Sequence, residues 1–254
     1  MKKIAILVYL SLSVVACFAK TDTISLSRHN LRLDYIKEGT NQFVTWNKNT
    51  VTGAISRMIL WERKVAFVKR EGLDDIAVTQ RRLYEDTSRN TLVYTISTRK
   101  DFQTIYDYRK DKSGIQAFDY RSDMIVGSDT IKNNNKSGFA LKLPVFPYCF
   151  ELDIETLSML PIDHIHQQFA INFYHPGGST LPQYYPVVVT SEDDLSGVNG
   201  LKIKCWVIRL AYDKDNYDIS WISKEKHEFL KLESHRPGGT YNKVKLSSIL
   251  TAGF

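Results

Sequence analysis

Short runs of β-branched and aromatic residues, each bounded by turn formers, recur about every ten to fifteen residues from Leu31 to Leu246, with little helical periodicity between them. That spacing restricts the chain to an antiparallel β architecture. The clearest block opens with the alternating Leu201-Lys202-Ile203-Lys204-Cys205. It continues as Trp206-Val207-Ile208-Arg209-Leu210, apolar on both faces as in a central strand under a second layer. Asp213 to Asn216 make a turn, Tyr217, Ile219 and Trp221 share one face of the next strand, and Ser223 to Lys226 turn again. Phe229 to Glu233 return, and Pro237-Gly238-Gly239 lead into a last strand around Tyr241 to Leu246. The same pattern recurs earlier, in Leu31 to Ile36, Phe43 to Trp46, Met58 to Val68, Ile76 to Tyr84, Leu92 to Ile96, Gln103 to Tyr108, Ile115 to Tyr120 and Met124 to Val126. So many strands leave edges that must be closed or covered, so the expected fold is mainly β, an antiparallel curved sheet or incomplete barrel. One short helix is expected, with Asp153 capping Ile154 to Leu160 and Pro161 ending it.

The chain begins with Lys2-Lys3, an apolar run from Ile4 to Val15, and Ala16-Cys17-Phe18-Ala19. A charged start, a short apolar segment and small residues make an export signal over residues 1–19, which places the remainder, 20–254, outside the cytoplasm, in the periplasm or at the outer membrane or cell surface. The apolar run is too short for a membrane-spanning helix, which takes roughly 20 residues. Cleavage after Ala16 and after Ala19 both satisfy the small-residue rule. Val14-Val15-Ala16-Cys17 also resembles the bacterial lipobox, which implies acylation of Cys17. An acylated Cys17 would hold the domain on a membrane surface; otherwise it is freely soluble.

Residues 20–254 suit a single β domain, because the stretches richest in Gly, Pro, Ser and Asn are too short to be linkers. The formal charge of +6 falls to +4 once Lys2 and Lys3 leave, and the remaining charges are interspersed. Nucleic acid is therefore not an expected partner, since a phosphate backbone demands a concentrated basic face. Cys149 and Cys205 are the two cysteines left after processing, and an oxidising compartment allows them either to form a disulfide or to stay as buried thiols.

Motifs for chemistry are sparse. Asp163-His164-Ile165-His166 would place both imidazoles on one face if the segment were a strand, half of a metal site, but no second pair of ligands accompanies it. No Gly-x-Ser-x-Gly elbow, His-Glu-x-x-His helix or Gly-rich phosphate loop is present, and nothing calls for a cofactor. The acidic pairs Asp74-Asp75 and Asp193-Asp194 adjoin Gly-containing turns and read as solvated turns. A secreted hydrolase would have to draw on His164, His166 and Asp163.

The unusual resource is aromatic: 4 Trp, 14 Tyr and 12 Phe. Such rings pack β cores, and they also line concavities that accept lipid or acyl groups. Trp61, Trp206 and Trp221 are the expected ligand-binding residues of a concave face. Trp61-Glu62-Arg63-Lys64-Val65-Ala66-Phe67, Leu152 to Thr156 with Leu160-Pro161, Cys205 to Ile208, Trp221 to Lys224 and Leu230 to Glu233 resemble a family of exported bacterial proteins of unknown function. Its β architecture is similar to that of the periplasmic lipoprotein carriers LolA and LolB. The resemblance implies an incomplete antiparallel barrel with a concave face and an envelope role, and it transfers no catalytic residue. The expectation is a non-enzymatic envelope protein that binds an apolar small molecule, a lipid or a protein partner. A hydrolase or a structural surface component are the alternatives.

Overall fold

The computed structural model describes residues 21–28, 30–196 and 200–246; the expected export signal, with Cys17, lies outside the described residues. Within them sixteen strands form one curved sheet, built of two meanders joined edge to edge. The first meander runs through β2 (Gly39–Asn49), β3 (Ile59–Arg70), β4 (Leu73–Leu83), β5 (Thr91–Thr98), β6 (Thr104–Asp111), β7 (Gly114–Tyr120), β8 (Met124–Gly127) and β9 (Ala140–Lys142). The second runs through β11 (Gln168–Tyr174), β12 (Gln183–Ser196), β13 (Lys202–Ala211), β14 (Tyr217–Ser223), β15 (Phe229–Arg236) and β16 (Gly239–Lys245). Antiparallel pairing of β16 with β2, from Gly239↔Asn49 to Lys245↔Phe43, is the seam between them. β1 (Thr21–Ile24) and β10 (Tyr148–Cys149) both add to β11 in parallel. The path ends at β1 on one side and β9 on the other, so the sheet curves without closing into a barrel.

Period-two alternation explains which side chains fill the concavity. β3 turns Trp61, Arg63 and Val65 inward; β11 contributes Phe169, Ile171 and Phe173, and β13 contributes Trp206, Ile208 and Leu210. These residues form one main core with α1 (Asp153–Ser158), a short helix lying against the concave face. A separate, smaller cluster of Cys205, Val207 and Trp221 forms from the alternate positions of β13 and β14, on the opposite side of the sheet.

Helix α1 is two turns shaped by its flanks. A single turn of 3-10 helix, Phe150–Leu152, leads into it, and Asp153 is its first residue rather than its cap. The Asp153 carboxylate nonetheless accepts from the Ile154 amide at 2.8 Å, which serves the orphan donors and favours the positive end of the helix. The helix ends at Ser158, short of Leu160, and the Met159 carbonyl accepts from the Arg32 amide at 2.8 Å. Ile154 and Leu157 drive it into the core.

Four local expectations are corrected. Leu31 to Ile36 is not a strand but a 3-10 turn over Leu33–Tyr35, and Asp163 to His166 is also a turn, with His166 at φ 70°. Asp193-Asp194 lies within strand β12, not a turn. Asp74-Asp75 starts β4, where Asp75 is buried and held by Arg70 at 3.2 Å.

Candidate functional site

One end of the concavity opens as a cleft of about 770 Å³ between the segment Asp34–Asn41, strands β2 and β3, α1, and the turn joining β14 to β15. Phe43, Val65, Ile154, Met159 and Phe229 supply its apolar wall. Its rim is charged, with Lys37, Glu38, Glu225, Lys226 and the Lys245–Glu228 pair at 2.8 Å. Tyr35 and His227 stack at one side, ring centroids 3.8 Å apart, with His227 in the left-handed region at φ 52°. Burial lowers the pKa of that imidazole, which favours its neutral form.

The cleft ends on a buried ion pair. Arg63 on β3 donates through Nε to Glu155 Oε1 at 2.7 Å and through Nη2 to the other carboxylate oxygen and to the Glu151 carbonyl, the last at 2.7 Å. Asp153 stands 3.9 Å from the same Nη2. Side-chain exposure is 2% for Arg63 and 6% for Glu155, so the pair is desolvated and bidentate, the geometry in which a guanidinium holds a carboxylate best. This contact ties α1 to the sheet.

Behind the cleft wall lies Trp61, its ring centroid 5.9 Å from that of Phe43. Lys243 of β16 rests its ammonium 3.7 Å from the Trp61 ring centroid, and Arg82 and Arg63 approach the same ring at 5.1 and 5.5 Å. Burial is the main cause that pushes the Lys243 pKa down to about 7, with Arg63 and Arg82 adding to it and Asp153 and Asp218 opposing it.

A second buried polar group occupies the first meander. Thr95 donates to Asp107 at 2.7 Å, and the Cys149 thiol stands 3.8 Å from the same oxygen. Burial, and then the nearby Glu151 charge, push the Asp107 carboxyl up to about 7. Burial likewise pushes the Cys149 thiol well up, which makes it inert as a nucleophile.

The three expected ligand-binding tryptophans do not share one surface. Trp61 and Trp206 both lie in the main core, and Lys224 covers Trp206 at 3.8 Å. Trp221 faces the other side, where its indole donates to Asp193 at 3.0 Å. The disulfide alternative is also corrected: Cys149 and Cys205 are free thiols, buried in different clusters on opposite sides of the sheet. Asp163 and His164 pair with each other in an exposed turn, and His166 is exposed beside them, so the segment gathers no pocket around its imidazoles.

Arg63, Glu155 and Lys243 were not singled out by sequence. Arg63 does carry a signal, since it occupies an inward position between Trp61 and Val65, and a charge in the buried register must be paired. Lys243 follows Tyr241 in the same inward register of β16.

An open, strongly curved sheet with a short helix in its hollow defines the class of this molecule. Residues 61–247 match the family model described as a protein of unknown function, DUF3108, and the chain belongs to that family. No curated protein matches it. A crystal structure of a DUF1329 family protein from Desulfovibrio piger is 10% identical, with 87% of this chain and 88% of that one covered and a TM-score of 0.35.

Proposed function

We propose that this is an exported envelope protein that binds an apolar ligand, such as a lipid or acyl chain, in the cleft between α1 and the sheet, and that it does no chemistry on it. The observation that carries this reading is the cleft of about 770 Å³ walled by Phe43, Val65, Ile154, Met159 and Phe229. Its volume falls in the range of small-molecule sites, which combine an apolar wall with a few placed polar groups. Trp61 contributes from behind the wall, whereas Trp206 and Trp221 serve packing. Either an acylated Cys17 or a freely soluble form suits this role.

The test is capture of N-phenyl-1-naphthylamine by the full processed chain, followed by its displacement with dodecanol. Saturable, displaceable fluorescence is expected. Thr40 is exposed at the cleft lining, so Thr40→Trp fills the mouth without touching the core and should abolish capture. Absence of saturable binding in the unaltered chain, or unchanged capture by Thr40→Trp, overturns the proposal.

A further inference from the structure

Two buried hydrogen-bond donors around Trp61 have no acceptor among the described residues, and a buried lysine lies beside them. Trp61 Nε1 and Arg63 Nη1 are both buried without a partner. Lys243 is 3% exposed and lies on the Trp61 ring at 3.7 Å. The neighbouring carboxylates have other partners: Asp153 is 3.9 Å from Arg63 Nη2, and Asp218 pairs with Arg236 at 3.1 Å and accepts from the Tyr212 hydroxyl at 2.8 Å. Buried donors are ordinarily satisfied, so two left over beside a buried ammonium mark the place of an acceptor that the polypeptide does not supply.

That cluster adjoins the cleft. Arg63 lines it directly, Phe43 touches Trp61, and the Phe229 ring lies 5.5 Å from the Lys243 ammonium. An anion here would be met by charge-assisted bonds from Arg63 and Lys243 and by the indole N–H, in a desolvated setting where such bonds are strong. Arg82, 5.1 Å from the same ring, adds a further positive charge.

We propose that Trp61, Arg63 and Lys243 form an anion-binding subsite that receives the carboxylate or phosphate head of an amphiphile whose apolar part occupies the cleft. The inference rests on the cleft reading for the tail but not for the head. Laurate, dodecyl phosphate and dodecanol share one chain length and differ in the head, and inorganic phosphate offers the head alone.

The experiment titrates the processed chain, with ¹⁵N-labelled indoles, with each of these four probes. Trp61→Phe assigns the Trp61 indole signal. Laurate or dodecyl phosphate should bind at least about tenfold more tightly than dodecanol. The Trp61 N–H signal should move with the anionic probes and not with dodecanol. Lys243→Met removes a buried charge, retains the stem over the ring, and should bring the anionic probes to within about twofold of dodecanol. A preference for laurate assigns a free acyl carboxylate, and a preference for dodecyl phosphate assigns a phosphorylated head. Equal binding of all three amphiphiles by the unaltered chain, or a preference that survives Lys243→Met, overturns the subsite while leaving the cleft reading intact. A Trp61 shift with inorganic phosphate that Lys243→Met abolishes, in a chain that ignores dodecanol, supports the subsite and overturns the cleft reading. No binding of any probe overturns both.

Discussion

Breaking the Arg63–Glu155 pair should cost far more than deleting it. Glu155→Gln leaves a guanidinium almost fully buried, with the Glu151 carbonyl and an Asp153 carboxylate at 3.9 Å as partial company. Arg63→Met leaves the Glu155 carboxylate buried without a cation and the Glu151 carbonyl short of one donor, although Gln80 still donates to it at 2.7 Å. Removal of one member of a buried pair costs about 3–5 kcal/mol, because the other keeps its desolvation penalty, whereas an apolar replacement of both is often neutral or stabilising. Glu155→Gln, with Asp153 nearby, belongs at the lower end and Arg63→Met at the upper. The double variant Arg63→Met, Glu155→Leu should return to within about 1 kcal/mol of the unaltered protein. Urea unfolding followed by tryptophan fluorescence reads this directly. With a slope of about 3 kcal/mol per M, the single variants lower the midpoint by about 1 to 1.7 M and the double one hardly at all. Single variants that cost less than about 1 kcal/mol, or a double variant that loses the sum of the two, would refute the view that α1 is tied to the sheet by one desolvated pair.

Two buried groups with opposite titrations should place a stability minimum near pH 7. Asp107 has a folded pKa of about 7, above its unfolded value of about 4. Its burial penalty is therefore absent below about pH 4, grows as pH rises, and is complete above pH 7. Lys243 has a folded pKa of about 7, below its unfolded value of about 10.4, so its penalty is complete below pH 7 and relieved as pH rises to about 10.4. Urea midpoints should accordingly rise for Asp107→Asn at pH 8 but not at pH 4, and for Lys243→Met at pH 6 but not at pH 10.5; gains independent of pH would contradict this. At Gly127, an added Cβ would lie 1.7 Å from the Lys136 carbonyl oxygen, in a loop pinned by Asn134 bonds to Ala117 and Ser128. Gly127→Ala should cost about 3 kcal/mol or more by overpacking, while Gly138→Ala, with nothing within 4 Å, should stay within about 0.5 kcal/mol; thermal melts that rank them otherwise remove the clash argument.

Local order was legible wherever alternation and turn chemistry agreed. The block from Leu201 to Leu246 meanders as read, and the turns at Asp213–Asn216 and Pro237-Gly238 stand where Asx and Gly chemistry put them. The shared face of Tyr217, Ile219 and Trp221 was also legible, but the main core takes the other face, with Asp218, Ser220 and Ile222. On the inside of a bent layer side chains converge, so small and polar residues fit there. On the outside, rings spread under cations, as Lys231 over Trp221 at 4.2 Å and Arg209 over Tyr217 at 4.3 Å. The site was less legible, because the partners of Arg63 and Lys243 come from elements about 90 and 180 residues away, which leave no local pattern.

The seam of β16 against β2 carries a consequence for how the molecule is made. Each meander is assembled from neighbours along the chain, but the ladder that unites them brings Gly239–Lys245 onto Phe43–Asn49, so it must wait for the last stretch of polypeptide to appear. Until then β2 and β15 are raw borders with unspent amides and carbonyls, ready to recruit any extended stranger. While the chain is incomplete this exposure persists, so shielding of those two borders is what guards it against stray strand pairing.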